Sequence, residues 1–88
     1  MMYIVLCYDV GSDRVSRVRK VAKKYLHPVQ RSVLEGYLTE GELNQLKKEL
    51  QSCIDTEEDQ VRAYVMGSTR YMQVHQLGLA NDGPKLFL

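Results

Sequence analysis

The run Met2-Tyr3-Ile4-Val5-Leu6-Cys7-Tyr8-Asp9 decides how the rest of the chain is read. A strand turns alternate side chains to opposite faces. Ile4, Leu6 and Tyr8 therefore point one way, and Tyr3, Val5, Cys7 and Asp9 the other. Both sets are largely apolar, which predicts a central strand covered on both sides. The strand ends on a carboxylate, Asp9, and Gly11-Ser12-Asp13 then reads as a turn, with Ser12 or Asp13 placed to cap a helix.

That helix is predicted over residues 14–26. Val15, Val18, Ala22 and Tyr25 recur on one stripe, joined by Val21 and Leu26, and Pro28 stops the helix near His27. Residues 29–38 are extended, as one kinked strand or two short ones. Thr39-Glu40-Gly41-Glu42 is a capping box opening a second helix, which carries Leu43, Leu46, Leu50 and Cys53 on one stripe and ends near Ile54. After the acidic loop Asp55–Asp59, residues 60–66 read as a strand, with Val61, Ala63 and Val65 on one face. A short strand around Val74–Leu79, an Asn81-Asp82-Gly83 turn and a terminal Leu86-Phe87-Leu88 complete the chain.

The order strand, helix, extended pair, helix, strand, with one apolar stripe per helix, predicts an α+β ferredoxin-like βαββαβ sandwich. Its sheet is antiparallel, its helices share one face, and it has an extra C-terminal strand. The face carrying Val5 and Cys7 then lacks a helix, and a second copy of the chain in a two-fold homodimer is the simplest cover. The last strand or the tail can reach across to the partner's sheet. With 88 residues, no internal repeat and no linker, the chain is one domain, 1–88.

Composition excludes several classes. The chain is 44% hydrophobic and 26% charged, which excludes a disordered tail, a collagen-like chain and a coiled coil. No apolar run approaches a membrane span. The opening apolar run is too short for a secretory signal and is cut by Asp9. Cys7 and Cys53 fall on predicted buried faces and suggest no disulfide framework, so a reducing cytoplasm is the expected location.

The near-neutral total hides a segregation. Residues 1–31 carry seven basic and two acidic side chains, whereas residues 32–59 carry two basic and eight acidic. Arg14, Arg17, Arg19, Lys20, Lys23 and Lys24 line the first helix with no acidic residue among them, and Arg31 follows. Surface helices ordinarily mix the signs. A one-signed face predicts contacts to phosphates, read through backbone and shape. Tyr8 and Tyr37 are the aromatic candidates for stacking on bases, with core or interface packing as their other role. His27 and His75 lack neighbours at metal spacing and read as structural or solvent-exposed.

Asp9 is the candidate catalytic and metal-binding residue. Two roles fit it: accepting turn amides or capping the first helix, or ligating a hard cation. Mg²⁺ takes one or two carboxylates and shares a substrate phosphate. Two Asp9 side chains meeting across a two-fold axis would make an adequate Mg²⁺ site. No Cys-x-x-Cys, Ser-His-Asp set or phosphate-cradling glycine loop is present, and no general base is visible near Asp9.

Several runs together resemble the CRISPR-associated protein 2 family. They are Met2–Asp9 ending in Tyr8-Asp9, Arg14-Val15-Ser16-Arg17-Val18-Arg19-Lys20, Lys24-Tyr25-Leu26-His27, Val29-Gln30-Arg31-Ser32-Val33-Leu34-Glu35-Gly36, and the acidic 55–59 loop before a strand. The resemblance covers nearly the whole chain. It implies a ferredoxin-like homodimer in CRISPR adaptation that bridges the CRISPR integrase and holds protospacer duplex DNA on basic surfaces. It also implies Mg²⁺-dependent nuclease activity on RNA or duplex DNA in some members, with Asp9 as the metal ligand. Leu34 stands where family members often have an aromatic, and Pro28 where they have an aromatic or basic residue. Two other functions are compatible with the residues: a toxin-type ribonuclease of the same fold, and a non-catalytic regulatory domain binding a small molecule at its dimer seam.

Overall fold

A computed structural model describes residues 1–67 and 72–78. Its elements are β1 (Met2–Asp9), α1 (Val15–Lys23), β2 (His27–Gln30), β3 (Val33–Leu38), α2 (Glu40–Gln51), β4 (Gln60–Met66) and β5 (Met72–Gly78). The strands form one antiparallel sheet in the order β2-β3-β1-β4-β5. Two split βαβ units share it, and β1 is central, as its two apolar faces require. The first four strands and two helices are the predicted ferredoxin-like sandwich, and β5 is the extra strand, paired with β4 of its own chain. The expected turn at 81–83, the 86–88 tail and the last residue of the Val74–Leu79 strand lie outside the described residues.

The sheet's core face carries Ile4, Leu6, Tyr8, Leu34, Leu38, Val61, Ala63 and Val65, and it packs on Val18 and Ala22 of α1 and Leu43, Leu46 and Leu50 of α2. Burying such side chains contributes about 1.5–3 kcal/mol each, and that sum holds helices whose propensity alone is weak. Tyr3, Val5, Cys7 and Tyr64 on the opposite face are only half-buried, while Tyr37 is 65% and Val74 49% exposed. The predicted double cover of β1 is thus half supplied by a single copy of the chain.

Four local details refine or correct the sequence reading. The 29–38 segment is a hairpin of β2 and β3 whose register shifts between Pro28 and Gln30. Its first strand begins at His27, because Pro28 disfavours helix but not extended chain. The first helix spans only 15–23, and residues 24–26 close it in a turn through Lys24, Tyr25 and Leu26 amides. The second helix ends at Gln51, short of Ile54. Finally, neither Ser12 nor Asp13 caps α1, which has no side-chain cap. The Gly11 carbonyl instead accepts the Arg14 and Val15 amides at 2.9 and 3.0 Å.

The capping box of α2 forms as read. The Thr39 Oγ1 accepts the Glu42 amide at 3.1 Å, and the Glu42 Oε1 accepts the Thr39 amide at 2.8 Å. Thr39→Ala is expected to cost about 1 kcal/mol in a urea melt; a parental midpoint would show that solvent replaces the cap without loss.

Candidate nucleic-acid interface and carboxylate site

Three chain segments meet at the Asp9 end of the sheet. Asp9 lies opposite Gln60, the first residue of β4. On the other side Cys7 lies opposite Val33, and the Tyr8 amide donates to the Ser32 carbonyl at 3.1 Å. This register carries the β2–β3 turn, with Arg31, to the same end. The Arg31 carbonyl accepts the Tyr8 hydroxyl at 3.1 Å and Arg19 Nη1 at 2.9 Å. Two side chains therefore hold the turn while the Arg31 side chain projects into solvent.

Asp9 itself is exposed and, among the described residues, its carboxylate accepts no hydrogen bond. It neither caps α1 nor takes the turn amides. The Gly11 amide is taken instead by Asp59, a residue absent from the sequence-based site. Asp59 is fully buried. Its Oδ1 accepts the Gly11 amide and Arg14 Nη2, both at 2.9 Å. Its Oδ2 accepts Arg14 Nε at 2.5 Å and the Asp55 amide at 2.8 Å. The Arg14 guanidinium is the main cause that holds the Asp59 carboxyl below the usual carboxylate range; the Asp55 and Gly11 amides act the same way, and burial opposes them.

Two of the predicted nucleic-acid contacts need correction. The Tyr8 ring is 6% exposed within the core, so it has no open face for a base and serves instead to seat the 31–32 turn. The Arg14 guanidinium forks onto buried Asp59 and also meets Asp13 at 3.1 Å and Glu58 at 3.3 Å. A cation so engaged is withdrawn from solvent phosphate. Lys24 stays exposed but is paired with Glu49 at 2.5 Å. That glutamate, bonded by Lys24, the Tyr25 hydroxyl and Gln45, is held down to about 2. Arg17, Lys20, Lys23 and Arg31 are exposed, and their charged groups have no partner among the described residues. Arg19 is half-buried and donates to the Arg31 carbonyl. The remaining basic surface is therefore a set of unpaired cations on α1 and the β2–β3 turn.

The donor set at Asp9 fits a magnesium-like ion only in part. Asp9 offers a solvent-facing carboxylate with no competing partner. Among the described residues, however, no group of three or more His, Cys, Asp or Glu side chains gathers that could hold a metal. A single chain thus supplies one ligand, and a complete site needs a second carboxylate or a substrate phosphate.

Residues 1–74 match the family model described as CRISPR associated protein Cas2. The chain belongs to the Cas2 family. A CRISPR-associated endoribonuclease Cas2 of Thermotoga maritima is 46% identical over 78 residues, which cover 89% of this chain and 90% of the relative. One of the same name from Dictyoglomus turgidum is 42% identical over 81 residues, 92% and 93% of the two chains. Among solved structures, a crystal structure of Cas2 superposes with a TM-score of 0.73 at 32% identity, covering 99% of this chain and 98% of that one. The Cas2 of Streptococcus pyogenes at pH 6.5 superposes with a TM-score of 0.68 at 33% identity, covering 76% and 87%. The Cas2 fold therefore extends over the part of the chain that holds Asp9, Arg14 and Asp59. Among the described residues, no helix is long and apolar enough to cross a membrane.

Proposed function

We propose that this Cas2 chain acts in CRISPR adaptation as a cytoplasmic homodimer that binds nucleic acid and cleaves phosphodiester bonds with the help of Mg²⁺ held by Asp9. The observation that carries this reading is the Asp9 carboxylate. It stands exposed and unpartnered at the end of the central strand, where every other nearby carboxylate is engaged or lies in the acidic loop.

The open sheet face supports the homodimer, since Val5, Tyr37 and Val74 leave apolar area that a second copy would cover. A two-fold axis through that face would bring a second Asp9 toward the first and supply the missing ligand. Bound there, Mg²⁺ would neutralise charge on the scissile phosphate and make a coordinated water more acidic. Arg17, Lys20, Lys23 and Arg31 would engage flanking phosphates, of protospacer duplex DNA or of RNA, with strongly salt-dependent affinity. In the same reading the dimer would serve as a scaffold joining copies of the CRISPR integrase. The curated relatives are named endoribonucleases, which favours RNA as one substrate.

The test is cleavage of labelled RNA and duplex DNA by the parent and by Asp9→Asn, with Mg²⁺ and with chelator. The parent is expected to cleave only with Mg²⁺. Asp9→Asn is expected to be at least a hundredfold slower at a parental melting temperature, of the order seen when one electrostatic contact to the transition state is removed. Equal rates would remove Asp9 from the chemistry and leave the scaffold role alone.

A further inference from the structure

Asp59 is linked to both segments beside Asp9, to one through its side chain and to the other through its backbone. Its side chain accepts the amide of Gly11, two residues after Asp9. Its backbone leads directly into Gln60, the residue that Asp9 faces across the sheet. Arg14 locks this carboxylate in place, because Nε and Nη2 of one planar guanidinium meet its two oxygens at 2.5 and 2.9 Å. Such a fork fixes orientation as well as distance. The exit of β1 at Gly11 is thereby tied to Asp59 at the entry of β4, 48 positions away in sequence.

We propose that Asp59 and Arg14 are a positioning pair for Asp9, which set its carboxylate at the sheet end, and that Arg14 does not contact nucleic acid. The inference rests on the reading of Asp9 as the functional carboxylate. It makes Arg14, on an otherwise nucleic-acid-facing helix, a residue that acts through another. The two roles separate chemically. A phosphate contact tolerates lysine in part, since the charge is kept, and its weakening shows in affinity and in salt dependence. A two-pronged grip on buried Asp59 does not, because an ammonium cannot reproduce the planar fork.

The experiment compares the full-length parent, Arg14→Lys, Asp59→Asn, Asp9→Asn and the double variant Asp9→Asn/Arg14→Lys. Mg²⁺-dependent cleavage of RNA and duplex DNA is followed well below each melting temperature. Arg14→Lys and Asp59→Asn are expected to lower kcat at least tenfold, with KM within twofold of the parent and an unchanged salt dependence of binding. In the Asp9→Asn background, Arg14→Lys is expected to cost nothing further, since a positioning residue has nothing left to position. Should Asp59→Asn fail to fold, Arg14→Lys and the double variant decide alone.

A parental kcat for Arg14→Lys overturns the proposal. So does a raised KM with a shallower salt slope, the signature of a lost phosphate contact. Additive losses in the double variant overturn it as well, and assign the pair a general structural role. A parent that does not cleave with Mg²⁺ overturns the reading of Asp9, and this inference with it. A cleaving parent with additive losses overturns the inference alone.

Discussion

Arg14→Ala is expected to destabilise the fold by about 3–5 kcal/mol at neutral pH, the usual cost of stripping one partner from a buried ion pair. The reason lies in what would remain. Asp59 is fully buried and would keep only the Gly11 and Asp55 amides as donors. A carboxylate cannot stay ionised there without the guanidinium, nor reach water without opening the sheet end. The pH dependence tests the cause. Arg14 holds the folded Asp59 carboxyl below its ordinary 3.8. A depressed folded pKa contributes stability that is fully present above the unfolded value and lost as pH falls through the folded one. The alanine variant lacks the group that depresses it. The difference between parent and variant should therefore be largest at pH 7 and shrink below about pH 4. Glu49, held to about 2 by Lys24 and Tyr25, titrates alike in both proteins and cancels from the difference. Urea melts between pH 7 and pH 3 measure it. A gap under 1 kcal/mol at pH 7, or one that does not change with pH, would show that the pair is not what holds this corner.

The contrast between Asp9 and Asp59 marks where sequence reasoning reaches its limit. The alternation in β1 was sufficient to place Ile4, Leu6 and Tyr8 in the core and Asp9 at a strand end, because a period of two leaves only one assignment of faces. The Thr39–Glu42 box was equally local, since both its hydrogen bonds span three residues. The stripes of α1 and α2 named Val18, Ala22, Leu43, Leu46 and Leu50 correctly for the same reason. Asp59 was hidden because it closes an acidic run, and composition makes all five residues of that loop look solvated. Its partner is 45 positions away, and no local spacing reports such a contact. The one available signal was position: Asp59 directly precedes a strand whose alternate residues are apolar, where the chain has already turned inward. Of the two roles open to Tyr8, stacking on a base and packing, the structure shows packing. Its face of β1 was read correctly, but the same face cannot be both core and nucleic-acid surface. The hairpin register was illegible because the irregularity at Pro28 changes which residues of β2 oppose β3.

Gly78→Ala should disturb the same corner from the other side. Gly78 ends β5 opposite Gln60 and has a φ of +83. A Cβ there would lie 2.1 Å from the Asp59 carbonyl oxygen and 3.0 Å from its carbonyl carbon. Two penalties coincide. A side-chain-bearing residue in this backbone region costs on the order of 1–3 kcal/mol. Forcing a methyl group into occupied space adds typically 1–3 kcal/mol more. The obstacle is backbone, so it cannot swing aside as a flexible side chain would. Either β5 peels from β4, or the Asp59 peptide moves and takes its carboxylate with it. The Asp59 carboxylate is fixed by four hydrogen bonds, to Gly11, Asp55 and two nitrogens of Arg14, whereas β5, among the described residues, pairs with a strand on its β4 side alone. The strand should therefore yield first. The expected result is a large loss of stability in a urea melt, with accelerated amide exchange along Val74–Leu77 and near-parental exchange at Gly11. Exchange accelerated equally at Gly11 would mean that the clamp around Asp59 is weaker than the edge of the sheet. In that case the hold on Asp9 would be too soft to set its geometry.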